Sequence, residues 1–497
     1  MKPESHFRRG VFAVVLGATL LGGCASTGNL HSVGTPTDPA SLHSQHSLAG
    51  VRIDPATWPR HAWWKSVHDV QLDRLIAEAL AGNPDMALVD ARVRAALAQA
   101  GAADAARKPT LNGGASAAGA RIPPLLPPIA DGHWGVIRYG YLSFKWDVDL
   151  WGGKRAAWEA AVGTAHAAAV DAEAARLRLS ADVAQAYFNL GAAYVLRDLA
   201  HEELRRAEDF QKLTRQRVAN GIENRLPLAQ IDSEVAGDRA HLDAADNGVR
   251  VGGLVLAALL GKGPDRALTI TRPALPAVPA LALPSDLPAE LLGRRPDVVA
   301  ARWRVEAASR DIRAAKARFL PDLGISSLAG LIAPSSLDLF SLSNRFYTVA
   351  PAVSLPIFEG GALRANLAGK DAARDEAIAE YNQTLVRAIN QVATQVDDLR
   401  SLASQVRAAE SARASAEHGY ALAMQRFHAG IGNFLESLTE RQQLIAAEQQ
   451  LAAVRSSRVD AWVQLNEALG GGFVPSAADA NVAAATNAPH AGPKANP

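Results

Sequence analysis

The chain has 497 residues, 48% of them apolar and 20% charged, enough to bury sizeable cores and too apolar for a disordered polypeptide. Its formal net charge of +1 exerts no overall pull toward nucleic acid or acidic substrates. Aromatic residues are sparse at 6% while alanine recurs throughout, a balance that favours long, closely packed helices over a bulky globular core.

Residues 1–23 read as a signal peptide. Lys2, Arg8 and Arg9 form a basic start, and Val11–Leu21 is a short apolar core. The stretch ends in Leu21-Gly22-Gly23-Cys24, and Cys24 is the only cysteine in the chain. Small residues before it suit a signal peptidase, and its thiol can accept a diacylglycerol, so the segment resembles a bacterial lipobox. Ala25 stands where an aspartate would retain a lipoprotein at the inner membrane. By resemblance to lipoprotein sorting signals, this predicts an outer-membrane protein lipid-anchored at Cys24. No mature segment qualifies as a transmembrane helix: the best candidate, Val249–Leu260, contains Arg250 and Gly252-Gly253 and falls short of the roughly 20 apolar residues required. A mature chain that spans a bilayer must therefore do so with β-strands.

Residues 24–82 are predicted to comprise the anchor, a Ser/Thr/His/Pro-rich tether and an N-terminal equatorial segment. His43 and His46 lack a carboxylate or thiol partner, so no metal site is assigned. Trp58, Trp63 and Trp64 read as packing anchors beside a short amphipathic helix at Val70–Ala81.

The first repeat, residues 83–270, opens with a helix over Pro84–Lys108, signalled by Asn83 followed by proline at the first helical position. Thr110–Arg121 and Gly135–Leu150 are predicted to be extended, on either side of a Pro-rich loop. In the second, Phe144, Trp146, Val148 and Leu150 alternate with Lys145, Asp147 and Asp149. Period two with charges on one face marks a strand whose charged face sees water. In a soluble sandwich the apolar face would pack on a second sheet; in an outer-membrane barrel it meets lipid while Lys145, Asp147 and Asp149 line the lumen. Asp147 and Asp149 could be read as an acid pair, but carboxylates two apart on a solvated strand face are ordinarily just hydrated, and no catalytic residue is assigned.

After Trp151-Gly152-Gly153-Lys154 a helical pattern runs to Ala219, interrupted only by Gly163 and Gly191. Val183, Tyr187, Leu190 and Tyr194 recur at coiled-coil seam spacing. Such a helix would be on the order of 100 Å long at 1.5 Å per residue. Asn220-Gly221-Ile222 supplies a stop and turn, and Pro227 fits the first turn of a returning helix that ends at Leu259-Leu260-Gly261. Gly261-Lys262-Gly263 lacks the spacing and the hydroxyl residue of a phosphate loop, so no cofactor is predicted.

Residues 271–294 form a Pro-rich linker, and residues 295–470 write the same order again. Pro84, Arg92-Val93 and Pro109 recur as Pro296, Arg304-Val305 and Pro321 at one constant offset. Strands are predicted at Asp322–Ile332 and Arg345–Ile357, with Tyr347, Val349, Val353, Leu355 and Ile357 on one face. Gly360-Gly361 repeats Gly152-Gly153, and the turn Ala429-Gly430-Ile431 repeats the first turn. Residues 471–497 read as a disordered Ala/Asn/Pro tail.

The fold class is therefore mainly α, built from a duplicated helix–hairpin–long helix–turn–helix repeat, with a small membrane β-barrel portion if the strands span a bilayer. Two hairpins make four strands, too few to close a barrel, and open edges cannot sit in lipid. Insertion therefore requires several chains to share one barrel. A scaffold lipoprotein without a pore is the alternative, and the alternating strand Phe144–Leu150 argues against it.

The motifs Leu291-Leu292-Gly293-Arg294-Arg295-Pro296-Asp297-Val298, Phe319-Leu320-Pro321, Asp149-Leu150-Trp151-Gly152-Gly153 and Leu355-Pro356-Ile357-Phe358-Glu359-Gly360-Gly361 resemble those of the TolC-like outer-membrane efflux protein family, most closely its NodT-type lipoprotein branch. The resemblance covers residues 60–470. It implies a homotrimer with a trimeric α-barrel and a shared twelve-stranded β-barrel. The trimer would act as the passive exit duct of a tripartite, RND-type efflux system rather than as an enzyme, with outer-membrane lipid around the barrel. It further implies docking on a periplasmic membrane-fusion adaptor joined to an inner-membrane pump. The tips Asn220-Gly221-Ile222 and Ala429-Gly430-Ile431 would touch the adaptor, and acidic residues of the second return helix would constrict the periplasmic gate. Glu436 falls on one such position. The next is Thr439, with Glu440 beside it. Glu436 near a helix N-terminus also favours the helix dipole on its own.

Overall fold

The computed structural model describes residues 26–42, 52–53, 58–121, 134–279, 281–283, 293–334 and 338–479. Cys24 with the signal stretch, His43 and His46, most of the loop 122–134, Leu291-Leu292 and all but the first residues of the C-terminal tail lie outside them.

Helix α1 (Val70–Gly82) starts where the Asp69 carboxylate accepts the Gln71 and Leu72 amides, a side-chain N-cap. Helix α2 (Pro84–Ala105) follows Asn83, whose side-chain oxygen accepts the Asp85 amide at 2.7 Å. The predicted end at Lys108 overshoots by three residues, because Arg107 and Lys108 bond three residues back to Asp104 and Ala105 and tighten the last turn. The long helix α3 (Gly153–Ala219) returns as α4 (Leu226–Leu259). In the second repeat α5 (Pro296–Ala317) corresponds to α2, α6 (Ala362–His428) to α3 and α7 (Phe434–Ala468) to α4. Helices α3 and α6 each have 67 residues.

Gly163 and Gly191 do not interrupt α3. A Cβ at Gly163 would stand 3.2 Å from the Ala307 methyl, and one at Gly191 would stand 3.3 Å from Pro273. These glycines allow close approach of a neighbour and are not breaks.

Strands β2 (Thr110–Arg121), β3 (Trp134–Val148), β5 (Asp322–Pro334) and β6 (Arg345–Ser354) form one antiparallel sheet in the order β2-β3-β5-β6. β3 stops before Asp149 and Leu150, and β6 stops before Leu355, so Leu355 and Ile357 lie past the strand on which they were predicted. Proline at 356 has no N–H to extend the ladder. A parallel pair of two-residue strands, β1 (Arg52–Ile53) and β4 (Ala282–Leu283), lies inside segments predicted as tether and linker. Two residues in Pro-rich sequence carry no readable period.

The chain divides into two compact units, and each takes segments from both repeats. One comprises Val93–Ala168 and Ala301–Tyr381 with the described part of the segment before Pro36, and it contains the four-stranded sheet. The first described part of the predicted tether, residues 26–36, is a strap in this unit. The Asp375 carboxylate accepts the Ser32 hydroxyl at 2.5 Å, the Gly34 amide at 2.7 Å and the Val33 amide at 3.2 Å, while Arg364 donates to the Ser26 carbonyl at 2.9 Å. The bond from Ser32, then those from Gly34 and Val33, holds the Asp375 carboxyl below its ordinary range.

The other unit comprises Thr37–Arg92, Ala169–Ala300 and the described part of the chain after Asn382. Its core buries Leu72, Leu75, Ile76, Val183, Tyr187 and Leu190. Trp63 stands edge-on to Trp64 and Trp462, and Arg294 lies 4.6 Å over the Trp58 ring, so all three tryptophans pack as expected. The start of the predicted tail is a capped turn: the Ser476 amide and hydroxyl both donate to Asp479 at 2.7 Å.

Candidate functional site

The sheet sorts its side chains by chemistry. Directly opposed residues of antiparallel strands share a face, so the register reads out each face row by row. One face carries the rows Leu111–Phe144–Ser327–Val349, Trp146–Ile325–Pro351 and Val148–Leu323–Val353. The other carries Thr110–Lys145–Ser326–Ala350, Asn112–Ser143–Leu328–Thr348 and Asp147–Gly324–Ala352. In these rows, next to the helices, the first is apolar and aromatic apart from Ser327, and the second is small, polar or charged apart from Leu328; farther along the strands Arg138 and Arg345 join the first face and Tyr139, Tyr141, Ile332 and Phe346 the second. On the apolar face Leu111, Tyr347, Val349 and Val353 are 68–78% exposed on the single chain. Among the described residues, no strand pairs with the outer edge of β2 or of β6.

Lys145 and Asp147 stand on the polar face, where Asp147 pairs with Lys154 at 3.3 Å. Asp149 does not. It lies beyond β3, and its two carboxylate oxygens accept the Lys154 and Arg155 amides at 3.0 and 2.8 Å. It caps the first turn of α3, because the first amides of a helix have no partner within it. The alternation that ran through Asp149 in the sequence ends one residue earlier in the fold.

The two helix turns are built alike. Gly221 and Gly430 take φ of +70° and +76°. The Gly221 and Ile222 amides donate to Val218 and Arg217, and those of Gly430 and Ile431 donate to Phe427 and Arg426. Both are Schellman closures, which place glycine in the left-handed position. Ile222 and Ile431 are 59% and 73% exposed. Next to the turns, Phe210 packs edge-on to Phe427 at 5.2 Å and stacks on Phe434 at 5.1 Å, and Arg217 covers Phe427 at 4.6 Å.

Glu436 is the third residue of α7. The Asn433 side chain accepts its amide at 2.7 Å, and its carboxylate pairs with Arg426 at 3.4 Å. Within one chain this is a helix cap. Thr439, at the next acidic position of the family pattern, is exposed and donates to the Leu435 carbonyl at 2.9 Å. Glu440 turns its carboxylate toward Gly419, where an added Cβ would stand 2.7 Å from Oε2.

Sequence reasoning missed Arg441. Its side chain is 2% exposed, and it donates to Glu234 at 2.5 Å, to Asp238, and to the Glu203 carbonyl at 3.1 Å. Nearby, Arg206 forks onto Glu448 at 3.0 and 3.3 Å. Burial pushes the Glu203 carboxyl up from its ordinary range. The available signal was position: Phe434, Leu438, Arg441, Glu448 and Leu451 are buried along one stripe of α7, so charged residues occupy seam positions where aliphatics are usual. Glu203, Asp238 and His241 bring potential ligand atoms within 4.8 Å of one another, but Arg441 already neutralises Asp238 and its guanidinium would repel a cation.

The comparisons with known proteins agree with this arrangement. The family model described as outer membrane efflux protein matches residues 75–262 and 287–471, one span over each repeat. Fusaric acid resistance protein FusA of Burkholderia cepacia is 38% identical over 368 residues, covering 72% of this chain and 69% of that protein. Multidrug resistance outer membrane protein MdtP of Escherichia coli strain K12 is 31% identical over 477 residues, covering 92% of this chain and 96% of that protein. The crystal structure of the outer membrane protein VceC of Vibrio cholerae superposes with a TM-score of 0.78 at 33% identity, over 84% of this chain and all of that one. With the family model matched over both repeats and relatives such as MdtP matched over nearly the whole of both chains, this chain is a member of the outer membrane efflux protein family, whose members are outer-membrane channels.

Proposed function

We propose that three copies of this chain close one twelve-stranded barrel and act as the passive exit duct of a tripartite efflux system. The observation that carries this is the segregation of the sheet faces, together with the free edges of β2 and β6. An exposed apolar face suits lipid, and free strand edges in lipid demand partners. The edge of one chain would pair with the opposite edge of the next, enclosing the polar face with Lys145 and Asp147 toward the lumen. Asp149 would sit at the rim as a helix cap.

The turns Asn220-Gly221-Ile222 and Ala429-Gly430-Ile431 would dock on a periplasmic membrane-fusion adaptor, through which an inner-membrane pump supplies the energy. Exposed Ile222 and Ile431 support that role. Glu436, with Glu440 near it, would ring the periplasmic opening once three copies bring these helices together. Cys24 would carry the lipid anchor. The strap supports this, because Ser26 is held at Arg364, just after the sheet-to-helix corner Gly360-Gly361. The cargo class would be toxic small molecules, in keeping with the multidrug and fusaric acid resistance named for the relatives.

Deleting the chain from its host tests the duct. Susceptibility to at least one toxic compound in a broad panel should rise and return to normal on re-expression. Unchanged susceptibility throughout, with the partner adaptor and pump intact, would contradict an efflux role.

A further inference from the structure

Below the sheet, where β3, β5 and β6 end and α3 begins, lies an open cavity of about 550 Å³. Trp151, Leu320 and the strand ends line its apolar side, and Lys154, Arg318, Asp322 and Glu359 line its polar side. The Trp151 indole N–H donates to the Pro321 carbonyl at 2.6 Å, which fixes the ring across the corner although it is 53% exposed. Ile357 and Phe358 beside it are 60% and 87% exposed. Aromatic residues fixed at the end of a lipid-facing sheet belong to the membrane–water interface.

The charges in the cavity are of both signs, and most are not engaged with each other. Lys154 is taken up by Asp147 at 3.3 Å and by the Asp147 carbonyl at 3.1 Å. Arg318 has no ion-pair partner among the described residues, and neither do Asp322 and Glu359. A cation and two carboxylates left open around one cavity suit a ligand that carries phosphate and ammonium together. A purely anionic ligand would meet Asp322 and Glu359 unfavourably, whereas an amine alone would leave Arg318 unused. The apolar face reaches the cavity at Val148 and offers a path for acyl chains, while Asp322, on the other face of β5, borders it from the end of the sheet, so the site straddles the sheet's lower end.

We infer that this cavity binds the headgroup of a zwitterionic phospholipid, phosphatidylethanolamine, from the periplasmic leaflet. Arg318 would hold the phosphate, Asp322 and Glu359 the ammonium, and Trp151 would pack on the glycerol region. The inference rests on the sheet lying in the outer membrane as proposed above.

The test uses the full-length protein in detergent, stripped of lipid, with native mass spectrometry counting adducts as phosphatidylethanolamine or phosphatidylglycerol is titrated in. Phosphatidylethanolamine should bind more tightly than phosphatidylglycerol. Arg318→Gln should weaken phosphatidylethanolamine binding about tenfold, as loss of one charge-assisted contact implies. Asp322→Asn with Glu359→Gln should erase the preference between the two lipids, and serves as a second test should Arg318→Gln fail to fold. Equal binding of both lipids by the wild type, or unchanged phosphatidylethanolamine binding in a folded Arg318→Gln protein, would overturn the headgroup site alone. Absence of the wild-type chain from the outer-membrane fraction would instead overturn the membrane reading, and the lipid site with it.

Discussion

Arg441 of α7 is buried against Asp238 of α4, so a charged side chain ties together the two return helices that follow the two turns. Glu234 accepts its other fork at 2.5 Å, and the Glu203 carbonyl of α3 accepts a further N–H at 3.1 Å. Removing the guanidinium leaves Asp238 and Glu234 with an uncompensated charge. Arg441→Ala should therefore destabilise this unit by about 3–5 kcal/mol, the usual cost of breaking a buried pair from one side. Combined with Asp238→Asn the loss should be smaller than the sum of the single losses. Denaturant or thermal unfolding of the four proteins measures this, and strict additivity would contradict the pairing.

Asp460, also on α7, has one carboxylate oxygen buried without a hydrogen-bond partner. Burial raises its ionisation from the ordinary 3.8 to about 6. Between those values the folded chain keeps a proton that the unfolded chain has lost, so stability falls as pH rises through this window and bears the full cost above about 6. Asp460→Asn should be more stable than the wild type at pH 7.5 by roughly 1 kcal/mol, allowing for solvent screening of a half-exposed group. The gain should vanish below pH 4. Melting temperatures across pH 4–8 check it, and an equal gain at every pH would rule out ionisation as its source.

Gly221 and Gly430 hold φ of +70° and +76°, and nothing stands within 4 Å of a Cβ built on either. Alanine there meets only conformational strain, so each Gly→Ala change should cost about 1–2 kcal/mol. Asparagine tolerates this conformation better and should recover part of the loss. The same pair separates geometry from docking. If asparagine restores stability but efflux stays impaired, the turn surface itself touches the adaptor. If efflux tracks stability, glycine serves the turn alone.

The repeat, the four strands and both helix turns were legible because each is written in strong local chemistry. Proline opens α2 and α5, alternation marks β3, and glycine with a following apolar residue closes α3 and α6. What was not legible depends on distant partners. Asp149 continues the alternation of β3 on paper, yet two helix amides five and six residues on draw its carboxylate out of the strand row. The strap looked like a loose tether because its partner, Asp375, lies far along the chain. Arg441 went unnoticed because charge normally marks the solvent face, and only the matching acids on α4 make its burial possible.

The central claim is that several chains complete one barrel, and the most direct measurement is the oligomeric mass of the full-length protein extracted from outer membranes. Light scattering with the detergent contribution subtracted should give three chains per particle. That result would provide twelve strands and a partner for every free edge of β2 and β6. A stable monomer would leave four strands with open edges and an exposed apolar face, and would contradict the shared barrel.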